Sequence, residues 1–295
     1  MKIGAVLLAA EIDFDGVTPP WSEVRAFALA AEERGLDSVW MWDHFFNRAA
    51  DGSVEGMHEP WTILSALAAI TTRVELGTLV MCTSFRNPGL LAKMATTLDE
   101  VSGERLILGL GAGWHDPEYE AFGYPTDRRA ARFEEALLIV RSLLDGGTVT
   151  FEGEFNRLDG AVLAPAPSRR IPVLVAGDGP RMLRLTARYA DAWNTAWFGT
   201  PDERLRSMLR NFEDALEAEG RDPASVQRTV GVTIRDPSAP VLEGEEEAFR
   251  GPVEDMAAMF RAYDELGIDH LVLEIGPKTE PSLDRVGEAI ESFRR

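Results

Sequence analysis

Asp43-His44 sets a carboxylate beside an imidazole at the end of an apolar run, Ser38–Trp42, and such a pair can handle protons near neutral pH. Only four histidines occur in the chain, so this one is a candidate for passing a proton to or from a substrate, or for stabilising a developing anion. It could equally cap its strand and bond to a neighbouring loop; position alone leaves both readings open. Cys82-Thr83-Ser84 ends another apolar run, but no base or basic neighbour is evident beside Cys82, which suits a wall residue better than a nucleophile. Gly111-Ala112-Gly113 would let a planar ring lie against backbone, with Trp114 to stack on it or wall a pocket. His115 and Glu118, three residues apart, would share a face of a helical turn. A metal site built from His44, His115 and Glu118 lacks HExxH or comparable spacing, so no metal is expected. A solvent-exposed His115 and a Glu118 serving the helix dipole are the plain alternatives. His58 and His270 read as structural.

Gly177-Asp178-Gly179-Pro180-Arg181 joins an apolar run to a helical pattern. Glycines let backbone N–H groups approach an anion, Pro180 suits a first helical turn, and a helix N-terminus favours negative charge. A phosphate cradle and an ordinary tight turn both fit, since the spacing is neither GxGxxG nor GxxxxGK[ST]. GxSxG is absent, which removes the standard α/β-hydrolase reading.

Each of these clusters follows a short apolar run and leads into a helical pattern, the signature of repeated βα units. The runs are Ile3–Leu8, Ser38–Trp42, Val74–Met81, Arg105–Leu110, Pro172–Ala176, Ala192–Ala196, Arg228–Ile234 and His270–Ile275. Eight such pairs, with polar clusters after several strands, predict one (β/α)8 TIM barrel over residues 1–295. An open doubly wound sheet would show one dominant nucleotide loop near its start. Thr148–Phe151 and Glu154–Leu158 alternate around Glu152-Gly153 like a β-hairpin, so 148–167 is expected to be an insertion. Arg235–Arg250, acidic and rich in Pro and Gly, is expected as a mobile loop at the C-terminal face of the barrel. Catalytic groups would gather at that face.

With Lys+Arg 30 against Asp+Glu 49, the net charge is −19, which excludes a basic stripe for nucleic acid and disfavours anionic membrane surfaces. An anionic cofactor would have to be held by local donors working against this field. A single cysteine rules out an internal disulfide, and no apolar run is long enough to span a bilayer, so a cytoplasmic setting is expected.

The run RNPGLLAKMATTLDEVSGERLILGLGAGWHDPEYEAFGYP (Arg86–Pro125) resembles the bacterial luciferase-like oxidoreductase superfamily, as do SVWMWDHFF (Ser38–Phe46) and GDGPRMLRLTARYADAWN (Gly177–Asn194). Within it the likeness is to the branch using the deazaflavin coenzyme F420, in order from Lys2 to about Asn194 and weaker beyond. The resemblance implies a barrel with an insertion, usually a homodimer, binding a flavin or deazaflavin at the strand carboxyl ends. It implies a non-prolyl cis peptide at Leu79-Val80 behind the ring and Cys82 near the ring's polar edge. It gives Asp43 to the ring and places His44 near its reactive face. Ala176, Gly177, Asp178, Gly179 and Pro180 become the phosphate loop. The position of the catalytic glutamate in sugar-phosphate dehydrogenases of this family holds Trp114 here, unless Glu118 substitutes, and no basic set for a sugar phosphate is matched in Thr200–Arg250.

The expected activity is F420-dependent hydride transfer to or from a small organic substrate, with His44 handling the proton and Trp114, His115 and Glu118 at the substrate pocket. Two alternatives stand beside it: an FMN-dependent monooxygenase fed by a separate flavin reductase, and a non-catalytic flavin-binding barrel.

Overall fold

In a computed structural model describing residues 1–14, 16–49, 51–241 and 244–295, eight parallel strands close on themselves. In chain order they are Lys2–Val6, Ser38–Met41, Glu75–Thr78, Leu106–Gly111, Val173–Ala176, Ala192–Phe198, Gln227–Arg235 and His270–Gly276. Each pairs with the next, the last returns to the first with Lys2 opposite His270, and Leu108 opposite Val173 joins the fourth to the fifth. The strands start and stop within about three residues of the apolar runs, because those runs are buried on both faces, as parallel strands require.

Alternation along the strands divides the core in two. Val6, Trp40, Ile107, Leu174, Ala192 and Val272 fill the barrel, with Trp42, Leu79, Val80 and Trp197 above them. Val39, Met41, Leu76, Leu108 and Val175 point outward and pack under the surrounding helices. The helix Pro88–Ser102 shows how local sequence sets these layers. Asn87 accepts the Leu90 N–H at 3.1 Å, Pro88 opens the first turn, and Gly103 ends the helix with φ 68. Its buried face carries Leu91, Ala92, Ala95 and Leu98.

The insertion is an antiparallel hairpin, but its strands are Val149–Glu152 and Arg157–Ala161. The second begins three residues later than the alternation suggested, because the Glu135 carboxylate accepts the N–H groups of Glu154, Phe155 and Asn156 and makes them the turn. A second hairpin, Phe46–Arg48 with Val54–Gly56, rises from the mouth after the second strand. The predicted mouth loop Arg235–Arg250 includes residues 242 and 243, which lie outside the described residues; its described part lines the mouth.

Candidate active site

Inward and outward alternation continues past the second strand and separates Asp43 from His44. Trp42 and His44 line a cavity of about 390 Å³ at the carboxyl end of the barrel, while Asp43 does not. The Asp43 side chain is buried against Arg86, with Nη1 at 2.6 Å and Nη2 at 3.0 Å, and it accepts the Cys82 N–H at 2.8 Å. Arg86 also reaches Glu59 at 2.7 Å. Burial pushes the Asp43 carboxyl upward and Arg86 pulls it back. Asp43 therefore ties the second strand to the third rather than presenting an oxygen to the cavity. Arg86 was missed because it stands 43 residues away in sequence.

His44 Nδ1 lies 2.8 Å from Glu118 Oε2. The other Glu118 oxygen accepts the N–H of Phe45, in a very short contact, and that of Phe46 at 3.3 Å. Glu118 is 1% exposed, and although burial opposes its ionisation, the His44 ring and these N–H groups hold its carboxyl below the usual glutamate range. An ionised carboxylate can only accept, so Nδ1 carries the proton and Nε2 is the free, reactive nitrogen. Glu118 is thus a partner of His44 rather than a residue of the cavity wall.

His115 is buried rather than solvent-exposed, and its Nε2 accepts the Arg48 N–H at 3.0 Å. Burial holds this imidazole below the ordinary histidine value, so it serves as a neutral clamp on the Phe46–Arg48 hairpin. His115 precedes the helix Asp116–Phe122 as its N-cap and Glu118 lies in its first turn; both grip the segment after the second strand. Trp114 is 67% exposed, lines the cavity, and sets its ring edge-on to His44 at 5.5 Å.

The Leu79-Val80 peptide is cis, between the third strand and its short continuation Met81–Cys82. Leu79 reaches the cavity; Val80 packs in the barrel, where a Cβ on Gly111 would meet its Cγ2 at 2.5 Å. Cys82 faces away from the cavity toward the Tyr119 hydroxyl at 3.0 Å, and burial pushes its thiol up to about 11. Burial thus favours the thiol over the nucleophilic thiolate.

Ala176 lines the cavity, and Gly177–Pro180 lead from it into the helix Pro180–Tyr189. Gly177 has φ 146, and a Cβ there would sit 2.9 Å from Met182 Cβ; Gly179 meets nothing. No side chain caps this helix, so its first-turn N–H groups are open to an outside acceptor. Asp178 brings its own carboxylate, so backbone amides rather than side chains would serve a phosphate there. Sequence reading missed Asn47, Glu55 and Met57, and gave Trp42, Asn194 and Trp197 a place at strand ends but no role. The Ala196-Trp197 peptide beside them is also cis. Only the strand-end position of Asn194 and Trp197 signalled them.

Three tryptophans, Ile12, Met57, Leu79 and three alanines form a mainly apolar space within the usual size range of small-ligand sites, next to an uncapped helix N-terminus. That combination fits a planar ring carrying a phosphate-linked tail. Among the described residues no group of three potential metal ligands clusters, His44 and Glu118 included. His58 Nε2 contacts the Pro19 carbonyl, and His270 is wholly buried against Ser38, so both are structural.

Residues 1–239 match the family model described as luciferase-like monooxygenase. An "F420-dependent glucose-6-phosphate dehydrogenase" of Kineococcus radiotolerans is 32% identical over 90% of this chain and 82% of its own length. A "phthiodiolone/phenolphthiodiolone dimycocerosates ketoreductase" of Mycobacterium bovis is 34% identical over 70% of this chain and 59% of its own. Among solved structures, an "F420-dependent secondary alcohol dehydrogenase in complex with an F420-acetone adduct" superposes with TM-score 0.83 at 23% identity, covering 100% and 99% of the two chains.

Proposed function

This chain belongs to the luciferase-like monooxygenase family, and we propose that it is an F420-dependent oxidoreductase moving a hydride between the deazaflavin and a small organic substrate. The observation that carries the reading is His44 at the wall of a mainly apolar cavity, its Nδ1 held by a buried carboxylate. When bound, the deazaflavin supplies the hydride chemistry; the protein contributes position and proton handling.

Leu79 and Ala176 would bear on the ring, Trp114 would close one side, and the backbone of Gly177–Pro180 would hold the phosphate. Asp43 acts one step back: through Arg86 and the Cys82 N–H it fixes the strand end from which His44 projects. With Nδ1–H directed at Glu118, His44 Nε2 accepts a proton from a substrate hydroxyl, and the ionised carboxylate stabilises the imidazolium that results. In the reverse direction the same nitrogen returns the proton to a carbonyl oxygen. The family's sugar-phosphate activity does not follow from the relatives' names, since Trp114 stands where those enzymes are expected to place a glutamate.

Equilibrium titration with F420 and with FMN tests the reading. F420 binding is expected, with His44→Ala binding it normally but losing about 10²–10⁴-fold in turnover. Micromolar FMN binding without F420 binding points instead to a monooxygenase fed by a flavin reductase. F420 binding with no difference between His44→Ala and wild type removes His44 from the chemistry. We further infer one functional domain with 148–167 as its insertion, acting as a cytoplasmic homodimer, which light scattering on the eluting protein checks. No helix among the described residues is long and apolar enough to cross a membrane.

A further inference from the structure

The ring-sized cavity opens into a larger one of about 740 Å³, with Ile12, Trp42 and Trp197 common to both. Its charged lining is lopsided. Among the described residues, five carboxylates face it, those of Asp13, Glu245, Glu246, Glu247 and Glu274, against two cations, Arg235 and Lys278.

Both cations are already engaged. Lys278, buried at the bottom, sits 2.6 Å from Asp13 and 3.0 Å from Glu274, so one ammonium faces two carboxylates. Asp13 is fixed in turn by the N–H groups of Ala9 and Ala10, each at 3.1 Å. Arg235 directs Nε and Nη2 at Glu245, at 2.9 and 2.6 Å, and Nη1 at the carbonyls of Ile234 and Glu274. One oxygen of Glu245, Oε2, is buried without any hydrogen-bond partner, and so is Oε2 of Glu274. Burial pushes this carboxyl up, with Asp13 adding to the effect and Lys278 and Arg235 opposing it. A buried acceptor with no donor is expensive, and a ligand that brings a donor relieves it.

We propose that this outer cavity is the substrate site of the hydride transfer inferred above, and that it selects a hydrogen-bond-donating molecule without anionic groups, a polyol or amino alcohol, and rejects phosphate esters. Trp42 and Trp197 would bracket its carbon skeleton between the two cavities. Glu274 Oε2 would accept from its hydroxyl or ammonium group. A phosphate would meet a net negative wall whose cations are held by the protein's own carboxylates.

The test uses the F420-loaded protein and three matched probes: glycerol, 2-amino-1,3-propanediol and glycerol 3-phosphate. Binding is read by saturation-transfer NMR and located by crystal soaking. Glycerol and the amino diol are expected on Glu274 between the tryptophans, with glycerol 3-phosphate at least tenfold weaker. Glycerol 3-phosphate binding as well as glycerol, or none of the three entering the cavity, overturns the proposal. In Asp13→Asn/Glu274→Gln, Lys278 is freed, and glycerol 3-phosphate should gain at least tenfold. Glu274→Gln alone keeps the Asp13–Lys278 pair in case the double variant does not fold, and it should weaken the amino diol more than glycerol. Probe selectivity unchanged in the folded variants also overturns it. Titration with F420 separates the two ideas: cofactor bound with the wrong probes sinks only the substrate class, whereas no F420 binding sinks the oxidoreductase reading.

Discussion

Replacing Glu118 by Gln changes one oxygen for an NH₂ group and exposes how much of His44 depends on its partner. In the native protein Glu118 takes three donors, the His44 Nδ1–H and the N–H groups of Phe45 and Phe46. The glutamine oxygen would keep the two backbone donors, which leaves the NH₂ facing His44. Nδ1 must then accept, so the ring proton moves to Nε2, and the nitrogen facing the cavity can no longer take a proton. The expected loss is the full general-base contribution, about 10²–10⁴-fold in turnover, with F420 affinity little changed. Exchanging charge-assisted for neutral hydrogen bonds at this buried site should lower stability by about 1–2 kcal/mol. Because the Glu118 carboxyl is held below its ordinary value, that margin is present at neutral pH and is lost only as pH falls through the lowered native value. Long-range ¹H–¹⁵N correlation spectra read the tautomer directly and need no substrate, and four histidines keep them resolvable. The Nδ1–H form is expected for His44 in the wild type and the Nε2–H form in the variant. An Nε2–H wild type, or a variant with unchanged tautomer, refutes the reasoning. So does a His44→Ala/Glu118→Gln double variant much slower than His44→Ala alone.

Gly177→Ala forces a side chain into φ 146 and against Met182, which should cost about 1–3 kcal/mol and weaken F420 binding at least tenfold by fluorescence titration; Gly179→Ala, with open space around it, should change neither. Burial drops His270 to about 3, so the native state resists its protonation: full stability is present above about pH 6.5 and is lost as pH falls toward the native value. Urea titrations of His270→Gln across this range should therefore give a flatter pH dependence than wild type. Asp43→Asn breaks the buried pair with Arg86 and should cost about 3–5 kcal/mol in urea unfolding, with strong non-additivity against Arg86→Met. Unchanged stability with abolished F420 binding would instead put the Asp43 carboxylate on the ring.

The barrel was legible because its strands are buried on both faces and so read as unbroken apolar runs, while the intervening helices carry caps of their own, such as Asn87 and Gly103. What stayed hidden depends on contacts distant in sequence. The insertion's turn is set by Glu135, about twenty residues before it, and no alternation within 148–161 can report that. The hairpin at Phe46–Arg48 has strands of three residues, too short to carry a period, and is held by the His115 ring from 67 residues away. Glu118 looked like a first-turn acid because its position in its helix is what the sequence displays. Its use is decided by where His44 stands beyond the second strand, 74 residues earlier.

Adjacent residues on an extended chain cannot share a direction, and this governs the acid–histidine pair. Trp40 faces the barrel interior, Trp42 and His44 continue on that side into the cavity, and Val39, Met41 and Asp43 face outward. A dipeptide that reads as a catalytic couple is thus two half-sites facing opposite ways. The outward acid is neutralised by Arg86 and steadies the strand end; the inward base draws its carboxylate from Glu118, on another element. Neighbours in sequence at a strand end make poor partners for that reason, and the functional partner of such a histidine must come from across the barrel mouth. Among the described residues, the carboxylate that meets His44 comes from the helix Asp116–Phe122 after the fourth strand, which makes that helix part of the proton-handling machinery.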